Sequence, residues 1–274
     1  MEQICYGGRE WNEDYAYSCE KYCFVLDGAT SLILEKYSKE ESDAKWYSHA
    51  FGKFLETALS DFSKSISEII KEGIDIIINE YKTLAGDKKI VDFPSSCVAV
   101  IRRNKNKIEY FVLGDCGILF KRKNDIKDFT DSILPVLDKK NIDDMVKIAK
   151  QKHIDAIEAR KFVDADILKK RLSKNTENGY WILCDDKTAC DHAIQGELKI
   201  KKGDEFLLYS DGFSQIWDTV NIKTESEVFE FLGQGGTLVD LYKMLYAEQE
   251  NDLGCNKYPR TKIRDDATAI YLKM

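Results

Sequence analysis

Three apolar runs in this chain stop at an acidic residue: "FVLDG" at Asp27, "FVLGD" at Asp115 and "LLYSDG" at Asp211. Two acid pairs flank similar runs, Glu13 and Asp14 in "NEDYAY", and Asp265 and Asp266 opening "DDATAIYL". A single aspartate at a strand end is ordinarily a turn former. Several such positions at the rim of one sheet system are a different matter. Carboxylates that converge raise one another's pKa unless a cation compensates them. Oxygen donors without converging Cys or His suit Mg2+ or Mn2+ rather than zinc. Gly28 and Gly212, each following one of these acids, permit a sharp turn and let a backbone carbonyl approach a ligand.

The elements that must position these acids are short. The runs "CFVLDG", "CVAVIRR", "IEYFVLGD", "CGILFKR", "EFLLYSDG" and "TAIYLKM" alternate with turn residues, a pattern that predicts antiparallel sheet. The stretch 108–122 reads as a hairpin about "GDCG". Between 44 and 84, Trp46, Ala50, Phe54, Ala58, Phe62, Ile66, Ile69, Ile70, Ile77 and Tyr81 recur at three- and four-residue steps and predict helix, split or bent at Gly73. Further helical regions are expected near 141–173, with a solvated charged face, and near 224–248. The "GQGG" at 233–236 lacks the context of a phosphate loop and reads as a turn.

At 274 residues, with 43% hydrophobic and 32% charged residues and 3 prolines, the chain is an ordinary globular sequence, expected to form one domain over 1–274. A net charge of -7 argues against nucleic acid as a partner. No apolar leader and no run long enough to span a bilayer are visible, so a cytoplasmic protein without a membrane partner is expected. The 8 cysteines lack paired metal-site spacing and read as reduced structural thiols. His49, His153 and His192 read as packing or surface residues. Lys257, Arg260, Lys262 and Arg264 read as a solvated basic loop before the last acid pair.

Taken in order, these residues resemble the metal-dependent protein serine/threonine phosphatases of the PPM or PP2C type. "REWNED" at 9–14 resembles the family's arginine followed by Glu-Asp, "VLDG" at 25–28 its first Asp-Gly, and "SSCVAV" at 95–100 its small-residue strand. "GDCG" at 114–117 resembles Gly-Asp-Ser-Arg, "LLYSDGF" at 207–213 the Ser-Asp-Gly element, and "RDDATAI" at 264–270 the terminal Asp-Asn-x-Thr. The segment "GYWILCDDKTACDHAI" ahead of "GDEFLLYSDG" is similar to bacterial members.

The resemblance implies an α+β fold, a four-layer α-β-β-α sandwich of two antiparallel sheets flanked by helices. It further implies hydrolysis of phosphoserine or phosphothreonine in a protein substrate by a metal-bridging hydroxide, with two Mn2+ or Mg2+ ions and a weaker third position. Asp27 would bridge the ions, with the Gly28 carbonyl helping to hold one. Asp211 and Asp265 would ligate the second, Glu13 and Asp14 would act through water, and Asp115 with Asp211 would form the third position. Arg9 would grip phosphate oxygens. The chain is expected to act as a monomer.

Two departures matter. Ala29, Thr30 and Ser31 stand where many members have His-Gly-Gly, which removes a proposed proton donor to the leaving alcohol. Aryl phosphates are therefore expected to be cleaved well relative to phosphoserine. Gly-Asp-Cys-Gly, and Asp266 in place of asparagine, leave the roles of Asp115 and Asp266 open. The alternatives are an inactive relative serving as a regulatory or binding module, and a phosphohydrolase for a small metabolite.

Overall fold

The computed structural model describes residues 1–33 and 35–274. Ten strands form two five-stranded sheets in which every pairing is antiparallel. One sheet has the order β1 (Glu2–Tyr6), β10 (Ala267–Lys273), β9 (Glu205–Tyr209), β6 (Gly117–Arg122) and β7 (Asp125–Thr130). The other runs β2 (Tyr15–Ser18), β3 (Tyr22–Ala29), β4 (Ser95–Asn104), β5 (Lys107–Leu113) and β8 (Ile194–Lys199).

The period of two along each strand builds three apolar layers. In β3, Cys23 and Val25 face the other sheet and pack with Ile118, Phe120, Phe206, Leu208 and Ile270. Phe24 and Leu26 point the opposite way, onto Tyr47, Phe51, Leu55, Ile70 and Ile74 of α1 (Asp43–Ala58) and α2 (Ile66–Ala85). In β9 the alternation is mirrored: Leu207 and Tyr209 pack under α7 (Glu225–Gly233) and α8 (Leu238–Glu250) through Val228, Phe229, Leu241 and Leu245. This is the α-β-β-α sandwich expected from sequence. It explains why the strand runs are apolar without alternation, since both faces are covered. A small fourth core, with Met145, Ala149, Ala159 and Val163, joins α3 (Ile133–Lys152), α4 (Ala156–Ala159) and α5 (Asp164–Arg171), and Cys255 closes it.

Three expectations need correction. The stretch 108–122 is not a hairpin: β5 and β6 lie in different sheets, and Gly114, at φ +84°, turns the chain from one to the other. Gly73 does not split its helix, which runs unbroken from Ile66 to Ala85. The break falls at 59–65, where Ser65 and Glu68 form a capping box at the start of α2, and Gly73 instead leaves room for the rings of Phe51 and Phe54. The basic loop is not uniformly solvated. Arg260 is buried against Asp252 at 2.8 Å, and Lys262 pairs with Asp265. The "GQGG" segment is a turn between α7 and α8 as expected, with Gly235 at φ +94°. Among the described residues all eight cysteines are free thiols, and no helix is long and apolar enough to cross a membrane.

Candidate active site

The strand-end acids come from both sheets and meet at one end of the sandwich. Asp27 lies next to the end of β3, in register with Cys97 of β4. Asp211 follows β9 and opens the single-turn helix α6 (Asp211–Ser214). Asp265 precedes β10, Asp115 sits in the crossover from β5 to β6, and Glu13 and Asp14 precede β2. Asp27 and Asp211 therefore end strands of facing sheets, not neighbouring strands of one sheet. The glycines after them serve close backbone packing. A Cβ on Gly28 would fall 2.5 Å from the Glu13 carbonyl oxygen, and one on Gly212 would meet the Asp266 carbonyl.

The electrostatics record this convergence. Burial raises the pKa of Asp27 well above the carboxylate range, and the charges of Asp14, Asp211, Asp265 and Asp115 add to it. Asp211 is raised by burial and by Asp265 and Asp115. Asp14 is pushed up to about 8 by burial and by Asp266, against the opposing effect of the nearby Thr268 and Ser210 side chains. Asp14 is 2% exposed, and both its carboxylate oxygens are buried without a hydrogen-bond partner among the described residues. A buried carboxylate without a donor is costly, and a cation is the natural partner for it.

Other acids are already committed. Glu13 accepts from Ser42 Oγ at 2.5 Å and from Arg9 Nη2 at 3.3 Å, and Thr30 Oγ1 also donates to it. Its carboxylate thus ties the N-terminal loop to the segment after β3. Asp266 accepts the Gly8 and Glu13 amides at 2.7 and 2.8 Å, so it acts as a clamp on that loop. Asp115 is raised by burial, opposed by a hydrogen bond with Cys97, and it lies within reach of Asp138 and Lys170. Arg9 donates through Nη2 to Thr30 Oγ1 at 3.0 Å. It lines an open groove of about 650 Å³ together with Arg160, Lys161, Lys262 and Arg264.

Lys262, read from sequence as part of a solvated basic loop, instead lies among these acids. Its ammonium donates to Asp265 Oδ1 at 2.6 Å. Burial works against its charge, but Asp265, Asp211 and Asp27 outweigh that and push its pKa up. The i,i+3 spacing of Lys262 and Asp265 is visible in sequence, but the path of the loop that turns them toward the other acids is not.

Whether this set fits a divalent cation can be judged from its chemistry. The donors are all oxygen, one carboxylate is buried and unpartnered, and mutual repulsion is relieved by positive charge. The set fits Mg2+ or Mn2+. Among the described residues, no three His, Cys, Asp or Glu side chains are drawn into ready ligand geometry.

Comparison with known proteins agrees with the fold. Residues 10–135 match the family model described as protein phosphatase 2C. No curated protein matches the sequence. Among solved structures, PppA of Pseudomonas aeruginosa is similar at 14% identity and TM-score 0.57, with 98% of this chain and 94% of that one covered. The catalytic domain of the serine/threonine phosphatase PstP in complex with two manganese ions is similar at 15% identity and TM-score 0.56, covering 98% and 95%. The PPM Ser-Thr phosphatase MsPP of Mycobacterium smegmatis, in complex with cacodylate, matches at 15% identity and TM-score 0.52, covering 99% and 97%.

Proposed function

We propose that this chain, PP2C-like in sequence over 10–135 and in fold over its length, is a metal-dependent phosphatase acting on phosphoserine or phosphothreonine in proteins. The observation that carries this reading is the convergence of Asp27, Asp211, Asp265 and Asp14 from two facing sheets, with the Asp14 carboxylate buried and unpartnered.

Asp27, the Gly28 carbonyl, Asp211 and Asp265 would hold two Mn2+ or Mg2+ ions, and Asp115 with Asp211 would offer a weaker third position. Such ions, when bound, supply Lewis acidity: they acidify water and neutralise phosphoryl charge. Asp14 orients water from its buried position. Glu13, engaged on both oxygens, acts by fixing Arg9 and the segment after β3 rather than by reaching the ions. Arg9 stands at the groove with Nη1 and Nε free of hydrogen bonds among the described residues, so its guanidinium can grip phosphate oxygens while Nη2 stays anchored. No residue at position 29 protonates the leaving oxygen.

Purified protein is expected to release phosphate from an aryl phosphate and from a phosphothreonine peptide with Mn2+ or Mg2+ and to fail in EDTA. Asp27→Asn and Asp211→Asn are each expected to lose about 100-fold or more in turnover. A folded, Mn2+-loaded wild type without turnover would overturn the reading in favour of a regulatory module, and a strong preference for phosphorylated metabolites over peptides would move it to small-molecule chemistry.

A further inference from the structure

Lys262 stands out because it places one positive charge among acids from both sheets. Its Nζ lies 2.6 Å from Asp265 Oδ1, and the two side chains are only 26% and 14% exposed. The same ammonium acts on Asp211 and Asp27, and Asp266 also feels it.

This lysine is not a mobile surface residue that happens to lean inward. The loop that carries it, between α8 and β10, is clamped two residues earlier by Arg260. The Arg260 guanidinium donates to Asp252 Oδ2 at 2.8 Å, to the Asp252 carbonyl at 3.0 Å, to the Tyr258 carbonyl at 2.7 Å and to the Ile263 carbonyl at 2.9 Å. The position of Lys262 is therefore built into the fold.

A lysine head is a compact single charge with three donors. It can neutralise a carboxylate, but it cannot draw several carboxylates into one coordination sphere as a divalent ion does. Both hydrogen bonds to Asp265 fall on Oδ1, so a divalent ion could still ligate Oδ2, but it would do so against the positive charge of the ammonium beside it.

We propose that Lys262 is a tethered cation that neutralises Asp265 and, by its charge, weakens the binding of a divalent ion there. The chain's own lysine thus sets the metal affinity of the site. The inference rests on the two-cation reading above and concerns binding rather than turnover.

The test is titration of EDTA-treated, dialysed protein with Mn2+ alone, followed by calorimetry and by the paramagnetic resonance signal of free Mn2+, together with melting curves. Lys262→Met keeps the length of the side chain and removes its charge. It is expected to bind at least one Mn2+ about tenfold more tightly than wild type, to melt lower without metal, and to gain more in Tm at saturating Mn2+. Lys262→Arg, which keeps the charge, is expected to stay within about threefold of wild type. If Lys262→Met does not fold without metal, Lys262→Gln carries the same expectation. Unchanged or weaker Mn2+ binding by the uncharged variants would overturn the proposal, as would tightening by Lys262→Arg equal to that by Lys262→Met. Absence of stoichiometric Mn2+ binding in wild type and variants alike would instead overturn the two-cation reading on which the proposal stands.

Discussion

The environment of a single carboxylate separates the acids of this site more sharply than their positions in sequence do. Asp14 is buried and unpartnered, whereas its neighbour Glu13 is buried and accepts from Ser42, Thr30 and Arg9. The first is poised for a cation and the second has become part of the scaffold. Asp266 likewise spends both oxygens on the Gly8 and Glu13 amides. Position 29 carries a consequence for substrate choice. An alanine cannot deliver a proton, so the rate should depend on how well the leaving oxygen bears negative charge. The ratio of kcat/KM for an aryl phosphate to that for a phosphoserine peptide is expected to exceed unity and to widen as pH rises, because a basic leaving group then has fewer proton sources. Parallel pH profiles of equal height would show that a donor exists elsewhere in the site.

At the scale of the element, the loop between α8 and β10 is held by a buried ion pair. Burial disfavours the charge of Asp252, but the Lys257 amide, the Arg260 guanidinium and the Tyr258 and Asn256 amides together outweigh it and hold its pKa below the usual carboxylate range. A carboxyl depressed on folding stabilises the protein above its unfolded pKa, and that contribution is lost as pH falls through the folded value. Asp252→Asn leaves Arg260 buried without a countercharge and is expected to cost about 3 kcal/mol at pH 7. The gap between variant and wild type should close below about pH 4, as read by urea denaturation at the two pH values. A gap independent of pH would mean that the loop is held by packing alone. This loop also shows where sequence reading stops. Strands such as β3 and β4 are legible because they are buried on both faces and read as unbroken apolar runs. The edge strand β7, "DIKDFT", is largely exposed and gives no such signal. Periodicity identifies a strand but not its sheet, which is why β5 and β6 look like a hairpin and are not. The ordered acids of the site are legible because residue type and order alone mark them. Lys262 is not, because its placement depends on Arg260 meeting Asp252 across an irregular loop.

For the molecule as a whole, the site exists only while the two sheets stay packed, since Asp27 belongs to one and Asp211 follows a strand of the other. The layer between them is shared: Val25, Ile101 and Val112 of one sheet meet Ile118, Phe206, Leu208 and Ile270 of the other. Leu208 is fully buried there, on the strand that leads into Asp211 and facing the opposite sheet. Truncating it to alanine removes apolar contacts on both sides of the interface, and about 3 kcal/mol of destabilisation is expected. Because that core is common property, the loss should not be confined to one sheet. The four tryptophans report from separate places: Trp11 donates to Glu13 in the N-terminal loop, Trp46 packs outside the β3 sheet, Trp181 stacks on His192, and Trp217 lies against Tyr209. If residues 1–274 form one cooperative unit, Leu208→Ala lowers Tm equally by tryptophan fluorescence and by far-UV circular dichroism, with a single transition in each. Separate transitions, or a shift seen by one probe only, would divide the chain into units that unfold independently. Joint loss of Mn2+ binding with that single transition would tie the metal site to the sandwich itself, since Asp27 and Asp211 come from different sheets.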